Sequence, residues 1–165
     1  MTLNTTTVAV RLLGLSLAAA AATAQAESLS QEQARAAIAP FYQALNAGND
    51  AAALVLKASA PGWVSCGGNE AACGAREAVA QGIAGLHKAV PDLKWEIKDV
   101  LVSGNQVTVR GEASGTPAAA FMGVPHGGKS FKLMSIDIHT VRDGKLQHTY
   151  HLEDWLGATR QLSAK

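Results

Sequence analysis

The segment from Lys129 to Leu162, KSFKLMSIDIHTVRDGKLQHTYHLEDWLGATRQL, constrains this chain more than any other, because its turn decides which side chains can meet. It reads as strand, tight turn, strand and short closing helix, with Asp143-Gly144 between two alternating runs as the hairpin signal. Ionisable residues crowd it: Asp137, His139, His148, His151, Glu153 and Asp154 all fall here, and four of the five histidines lie between Pro125 and Leu152.

Two registers are open. If Asp143-Gly144 is a two-residue loop, Arg142 pairs with Lys145, Asp137 faces Tyr150, and His151 falls on the Ile136/Ile138 side. If Arg142-Asp143-Gly144 is a three-residue loop with Gly144 left-handed, Val141 pairs with Lys145 and Asp137 faces Thr149. A slip of one residue moves every side chain to the other face. The second register puts Ser135, Asp137, His139, Gln147, Thr149 and His151 on one face, and Met134, Ile136, Ile138, Leu146, Tyr150 and Leu152 on the other. That segregation favours it. His151 is then diagonal to Asp137, at roughly 7–8 Å between backbones, which implies a polar, ligand-facing wall containing an Asp-His pair.

The chain begins with Arg11, a short apolar run through Leu17 and the alanines, and a small-x-small site at Ala24-Gln25-Ala26. This predicts a signal peptide over residues 1–26, a single domain over 27–165, and a periplasmic or secreted location with no membrane association after cleavage. Loss of Arg11 leaves basic and acidic residues equal in number, and no basic stripe exists, which argues against a nucleic-acid partner. Cys66 and Cys73, seven residues apart in a loop segment of an exported chain, are expected to form a disulfide; they lack the spacing of a redox pair, and no second Cys or His pair suggests a metal site.

Helical periodicity runs from about Ser30 to Leu45, with Ser30 and Gln33 as a capping box and Ile38, Phe41, Tyr42 and Leu45 along one stripe. A short helix follows from Asp50 to about Lys57. Another spans about Ala75–Ala89, with Val79, Ile83, Leu86 and Val90 on one side and Pro91 as its stop. From Leu93 the period becomes two: Trp95, Ile97, Val100 and Val102 lead to a Gly104-Asn105 hairpin, and Val107 and Val109 lead away. Arg110 and Glu112 fall on the other face, as a solvated pair. Gly115–Gly128 is a loop anchored by Phe121, Met122 and Val124. Helices followed by antiparallel strands and a last helix define an α+β fold in which the sheet wraps on the helices.

Phe121-Met122-Gly123-Val124-Pro125, Gly128-Lys129-Ser130-Phe131, Ile136-Asp137-Ile138-His139, Arg142-Asp143-Gly144-Lys145 and His151 through Gly157 to Gln161-Leu162 resemble the SnoaL-like polyketide cyclases, or ester cyclases, of the nuclear transport factor 2-like superfamily. The resemblance covers nearly all of residues 27–165 and is densest from Gly111 onward. It implies a cone-shaped fold, with a deep pocket between a curved sheet and the N-terminal helices. It also implies an aldol closure driven by a histidine on the penultimate strand and an aspartate on the last. Counted from the Asp-Gly-Lys turn, those positions hold Asp137 and His151, so the residue types are exchanged. The limonene-epoxide hydrolases, a related group, activate water with an Asp-Arg-Asp set, which Arg110 and Asp137 resemble in part. Neither precedent requires a metal or organic cofactor.

Asp137 and His151 are therefore the candidate catalytic pair, with Asp137 orienting the imidazole and raising its basicity. Ser135, His139, Tyr42, Trp63, Phe121 and Trp155 are candidates for substrate contact, since an apolar lining with few polar groups suits a small-molecule site. His126 and His148 are expected to be peripheral, and Glu153 and Asp154 to cap the final helix. Two function classes follow. One is an exported, cofactor-independent cyclase, isomerase or hydrolase acting on a hydrophobic carbonyl compound. The other is a non-catalytic small-molecule binding module, with a homodimer as a candidate assembly in either case.

Overall fold

The computed structural model describes residues 28–68 and 73–164. The predicted signal peptide lies outside the described residues. In chain order the elements are α1 (Gln31–Ala44), α2 (Ala51–Ala58), β1 (Ser59–Gly67), β2 (Cys73–Ala75), α3 (Arg76–Ala89), β3 (Lys94–Ser103), β4 (Gln106–Gly115), β5 (Phe131–Arg142), β6 (Lys145–Glu153) and α4 (Trp155–Ser163). The strands form one six-stranded sheet in the order β2-β1-β6-β5-β4-β3, curved but unclosed. This is the expected α+β architecture.

Local chemistry starts the helices where the sequence places them. The Ser30 hydroxyl accepts from the Gln33 amide at 3.1 Å while the Gln33 side chain accepts from the Ser30 amide at 2.8 Å, completing the capping box. Asp50 caps α2 through the Ala53 amide. The apolar stripe of α1, with Ile38, Phe41 and Tyr42 buried, lies against the inner face of the sheet. There it joins Val107 and Val109 of β4, Leu133 and Val141 of β5, and Leu146 of β6. Complete burial of one such aliphatic side chain contributes about 1.5–3 kcal/mol.

The Cys66 neighbourhood differs from expectation. Ser59–Gly67 is a strand, not a loop, and it runs parallel to β6, pairing Val64 with His148 and Gly67 with His151. Pro61, Gly62 and Gly67 are poor strand residues, but an inner partner strand and the burial of Trp63 override that weak local preference. Cys66 lies directly opposite Cys73 of β2, and the two are disulfide-bonded.

The main hairpin also differs. Its turn is the two-residue form: Asp143 and Gly144 both have positive φ, 53° and 67°, and Arg142 pairs with Lys145. The register then shifts. Val141 pairs with Leu146, but Thr140 pairs with His148, leaving Gln147 as an extra residue in β6. Past this bulge His139 faces Thr149, Asp137 faces His151 and Ser135 faces Glu153. The bulge shifts the parity as a three-residue loop would, so the expected division of faces appears from His148 onward with a different turn, and Asp137 and His151 are directly opposed instead of diagonal; Leu146, ahead of the bulge and expected on the outer face, is instead buried in the core opposite Val141. Ser135, Asp137, His139 and Thr149 are buried on the inner face, while Met134, Ile136, Ile138, Tyr150 and Leu152 are exposed on the outer one.

Candidate functional site

A cavity of about 380 Å³ opens between α3, α1 and the concave face of the sheet. Val79, Ile83 and Leu86 of α3, Phe41 and Leu45 of α1, and Trp95 and Trp155 give it an apolar wall. Ser65, Asp137, His151 and Glu153 supply the polar lining. Size and composition suit a small organic molecule with few directed polar contacts.

The strand alternation of β5 and β6 brings Asp137 and His151 to this wall side by side. Their partners differ from the expected arrangement. His151 Nδ1 lies 2.7 Å from Glu153 Oε1, two residues along the same strand and on the same face. Glu153, not Asp137, therefore orients the imidazole. Glu153 ends β6, and Asp154 alone caps α4, accepting from the Gly157 amide at 2.7 Å. Asp137 Oδ2 accepts from the Tyr42 hydroxyl at 2.9 Å and has a long contact of 3.5 Å with the Ser135 hydroxyl. Among the described residues, Oδ1 of Asp137 and Nε2 of His151 carry no hydrogen bond.

Burial dominates the electrostatics of Asp137. It raises the carboxyl to about 7, reinforced by the negative Glu153 and opposed by the Tyr42 hydrogen bond, His151 and Ser135. His151 moves up from the ordinary histidine value, first through its hydrogen bond to Glu153, with burial opposing. His139 is fully buried, and burial followed by the repulsion of His151 pushes it down to about 3, so it stays neutral. The wall thus presents a carboxyl that titrates near neutrality beside an imidazole held toward its protonated form. Paired groups with such separated environments are suited to acid/base chemistry.

Of the candidate residues, Asp137, His151 and Trp155 line the cavity. Tyr42, Trp63, Ser135 and His139 do not. They are buried behind the wall, 4%, 1%, 0% and 0% exposed, and hydrogen-bond to one another or to Asp137 and Thr149. Phe121 also stands outside the lining: it stacks on Phe131 and meets Trp155 edge-on, so its loop packs over the sheet end beside α4. Arg110 projects from the outer face beside Ile136 and pairs with Asp99 at 2.6 Å, so it cannot join Asp137 in an Asp-Arg-Asp set. Glu153 as a site residue and α3 as a cavity wall were not among the expected features. The α3 stripe was visible as periodicity, and Glu153 shares the parity of His151, which could have revealed it.

Two glycines shape the site. A Cβ at Gly67 would stand 3.2 Å from the His151 ring, so the imidazole packs over the bare backbone of β1. A Cβ at Gly111 would come within 2.5 Å of the Ser135 hydroxyl and 2.8 Å of Trp95 Nε1, the two atoms whose 3.2 Å hydrogen bond fixes the indole.

The chain matches the profile of the SnoaL-like polyketide cyclases over residues 36–162. Among solved structures, IdmH from Streptomyces antibioticus, provisionally described as a polyketide cyclase, is 26% identical, with TM-score 0.70 over 80% of this chain and 99% of its own. A protein provisionally described in the same way, from Bacillus cereus ATCC 10987, is 28% identical, with TM-score 0.66 over 81% of this chain and 85% of its own. TsrD from Streptomyces laurentii is 25% identical, with TM-score 0.70 over 83% of this chain and 99% of its own. No curated protein gave a significant match.

Proposed function

Because the chain belongs to the SnoaL-like polyketide cyclase family of the nuclear transport factor 2-like superfamily, we propose that it is a cyclase- or isomerase-type enzyme acting by proton transfer on a hydrophobic carbonyl compound. The observation that carries this reading is the pair itself. On one wall of an apolar cavity, a carboxyl near neutrality stands directly across the strand pair from an imidazole anchored on a second carboxylate. In this mechanism Asp137 Oδ1 removes a proton from the carbon next to a carbonyl. The Nε2–H of protonated His151 hydrogen-bonds the carbonyl oxygen as negative charge develops there. The enolate carbon then bonds to a second carbonyl carbon of the same molecule, and Asp137 returns its proton to that oxygen. In the isomerase variant the proton returns to a different carbon.

The test is deuterium exchange at the activated carbon of cyclic and linear dicarbonyl compounds in heavy water, followed by NMR. Exchange that falls on the order of 10²–10⁴-fold in Asp137→Asn and in His151→Ala supports the reading. Ligands that bind without exchange, or exchange that persists in both variants, would leave a binding module.

Export to the periplasm or beyond is part of the proposal, supported by the leader-like start and compatible with the disulfide. Mature protein should have the mass of residues 27–165 less two hydrogens; two free thiols or a retained leader would count against it. Among the described residues, no helix is long and apolar enough to cross a membrane. A homodimer through the outer sheet face is proposed too. Leu101, Ile138 and Tyr150 lie in one row across the strands, Ile136 and Leu152 in the next, all exposed.

A further inference from the structure

Behind the cavity wall lies a chain of buried hydrogen bonds that the proposed proton transfer does not use directly. Trp63 Nε1 is 2.9 Å from Thr149 Oγ1, Thr149 Oγ1 is 2.9 Å from His139 Nδ1, His139 Nε2 is 3.0 Å from the Tyr42 hydroxyl, and that hydroxyl is 2.9 Å from Asp137 Oδ2. The five residues come from β1, β6, β5 and α1, and all are at most 4% exposed.

The two ends of the chain determine its direction. An indole nitrogen can only donate, and an ionised carboxylate can only accept. With Asp137 ionised, the single Tyr42 proton goes to Oδ2, so the Tyr42 oxygen must accept from His139 Nε2–H. Neutral His139 then has a bare Nδ1, which accepts the Thr149 proton, while the Thr149 oxygen accepts from Trp63. Every link is satisfied once. In the opposite sense, Thr149 would receive two donors, its own proton would have no acceptor in the chain, and Asp137 would have to be protonated to supply Tyr42.

We infer that Trp63, Thr149, His139 and Tyr42 form a one-way relay that locks His139 as its neutral Nε2–H tautomer and, through Tyr42, sets the proton affinity of Asp137. His139 and Tyr42 are positioning residues, not substrate contacts. The inference rests on the proposed role of Asp137 for its functional meaning, but the relay is a property of the resting protein. The other groups facing Asp137 are Ser135 on its own strand, His151 and Glu153 from β6, and the neutral indole of Trp95; α3 and α4 present apolar side chains to the cavity. Burial lifts the Asp137 carboxyl, and Tyr42 is the largest influence holding it down. A buried histidine held neutral by its surroundings is consistent with a fixed tautomer.

The test is NMR of the mature protein without ligand, using nitrogen-labelled histidine and carboxyl-labelled aspartate. Above the Asp137 midpoint, His139 should show protonated Nε2 and bare Nδ1. Tyr42→Phe should raise the Asp137 midpoint by about 1 pH unit, the size of one hydrogen bond to a charged acceptor. Thr149→Val should weaken the tautomer preference, and Thr149→Ser should restore it. An Nδ1–H tautomer or an imidazolium at His139 overturns the relay, as does an unmoved Asp137 midpoint in folded Tyr42→Phe. If Tyr42→Phe does not fold, the wild-type tautomer decides alone. These readouts need no substrate, so absence of carbonyl chemistry would remove the proposed function and leave the relay standing.

Discussion

Replacing Asp137 with Asn should make the protein more stable, and by an amount that grows with pH. In the unfolded chain this carboxyl titrates near 3.8; in the folded protein burial moves it to about 7. Between those values the folded state binds the additional proton, so wild-type stability from this group is complete below about pH 4 and is lost as pH rises through 7. The span is worth about 4 kcal/mol at 1.36 kcal/mol per pH unit, an upper figure because structure and water relax around a buried charge. Asn resembles the protonated acid in shape and still offers an oxygen to Tyr42, but it never has to bury a charge. His139, held near 3, and His151, held high, titrate in both proteins, so their contributions largely cancel in the difference. Guanidinium unfolding at pH 4, 5, 6, 7 and 8 measures it directly. The expected result is two nearly matched proteins at the acid end and an Asn variant ahead by roughly 2–4 kcal/mol at pH 8, with activity lost throughout. A stability difference that stays flat with pH, or in which the wild type gains as pH rises, would refute the claim that Asp137 is a buried carboxyl held near neutrality.

Glu153→Gln should bring the His151 titration back down toward the ordinary histidine value, because the hydrogen bond that raises it loses its charge; histidine NMR reads the shift, and no downward movement would show that Glu153 does not hold the ring. Gly67→Ala puts a methyl 3.2 Å from that ring, so the imidazole must move by a few tenths of an ångström; turnover should fall on the order of tenfold while the thermal midpoint changes little, and unchanged turnover would place the reacting atoms elsewhere. Ile138→Lys together with Leu152→Lys on the outer face should yield monomers in light scattering if that face joins two copies, with the cavity chemistry kept; a mass unchanged from a dimeric wild type would move the interface to another surface.

The helices and the β3-β4 hairpin were legible because their signals are local: a capping box, an aspartate cap, a Gly104-Asn105 turn and clean periodicities. β1 was not, since Pro61 and Gly62 suppress its local signal and its partner β6 is some eighty residues away. The inner face of β5 and of β6 beyond Gln147 was legible through parity alone, but the turn length was not, because a two-residue loop with a bulge and a three-residue loop leave the same pattern past the bulge and differ only at Leu146. Trp155 at the cavity followed from its type and place. Tyr42 was visible as a buried position of α1, yet its contact with Asp137 spans 95 residues of sequence, and nothing local separates a tyrosine that touches substrate from one that holds a carboxylate. Glu153 was hidden by its neighbour: two consecutive acids before a helix look like two caps, and only Asp154 is one.

Gln147 contributes by being left out of the count. Removing it would only close the bulge, and strands paired from the Asp143-Gly144 turn outward would still set Asp137 opposite His151. Were Gln147 instead drawn into the ladder, Thr140 would face Gln147, Asp137 would face Tyr150 and Ile136 would face His151; Tyr150 and Leu152 would turn inward, and Thr149 and His151 toward solvent. The carboxyl at Asp137 would lose its neighbour and the buried relay its hydroxyl, although no residue with a chemical role had been altered. The site is thus written partly as an interval, in the number of paired residues between a turn and a histidine. A relative that kept the residue but lost the bulge could lose the chemistry while every functional letter survived alignment.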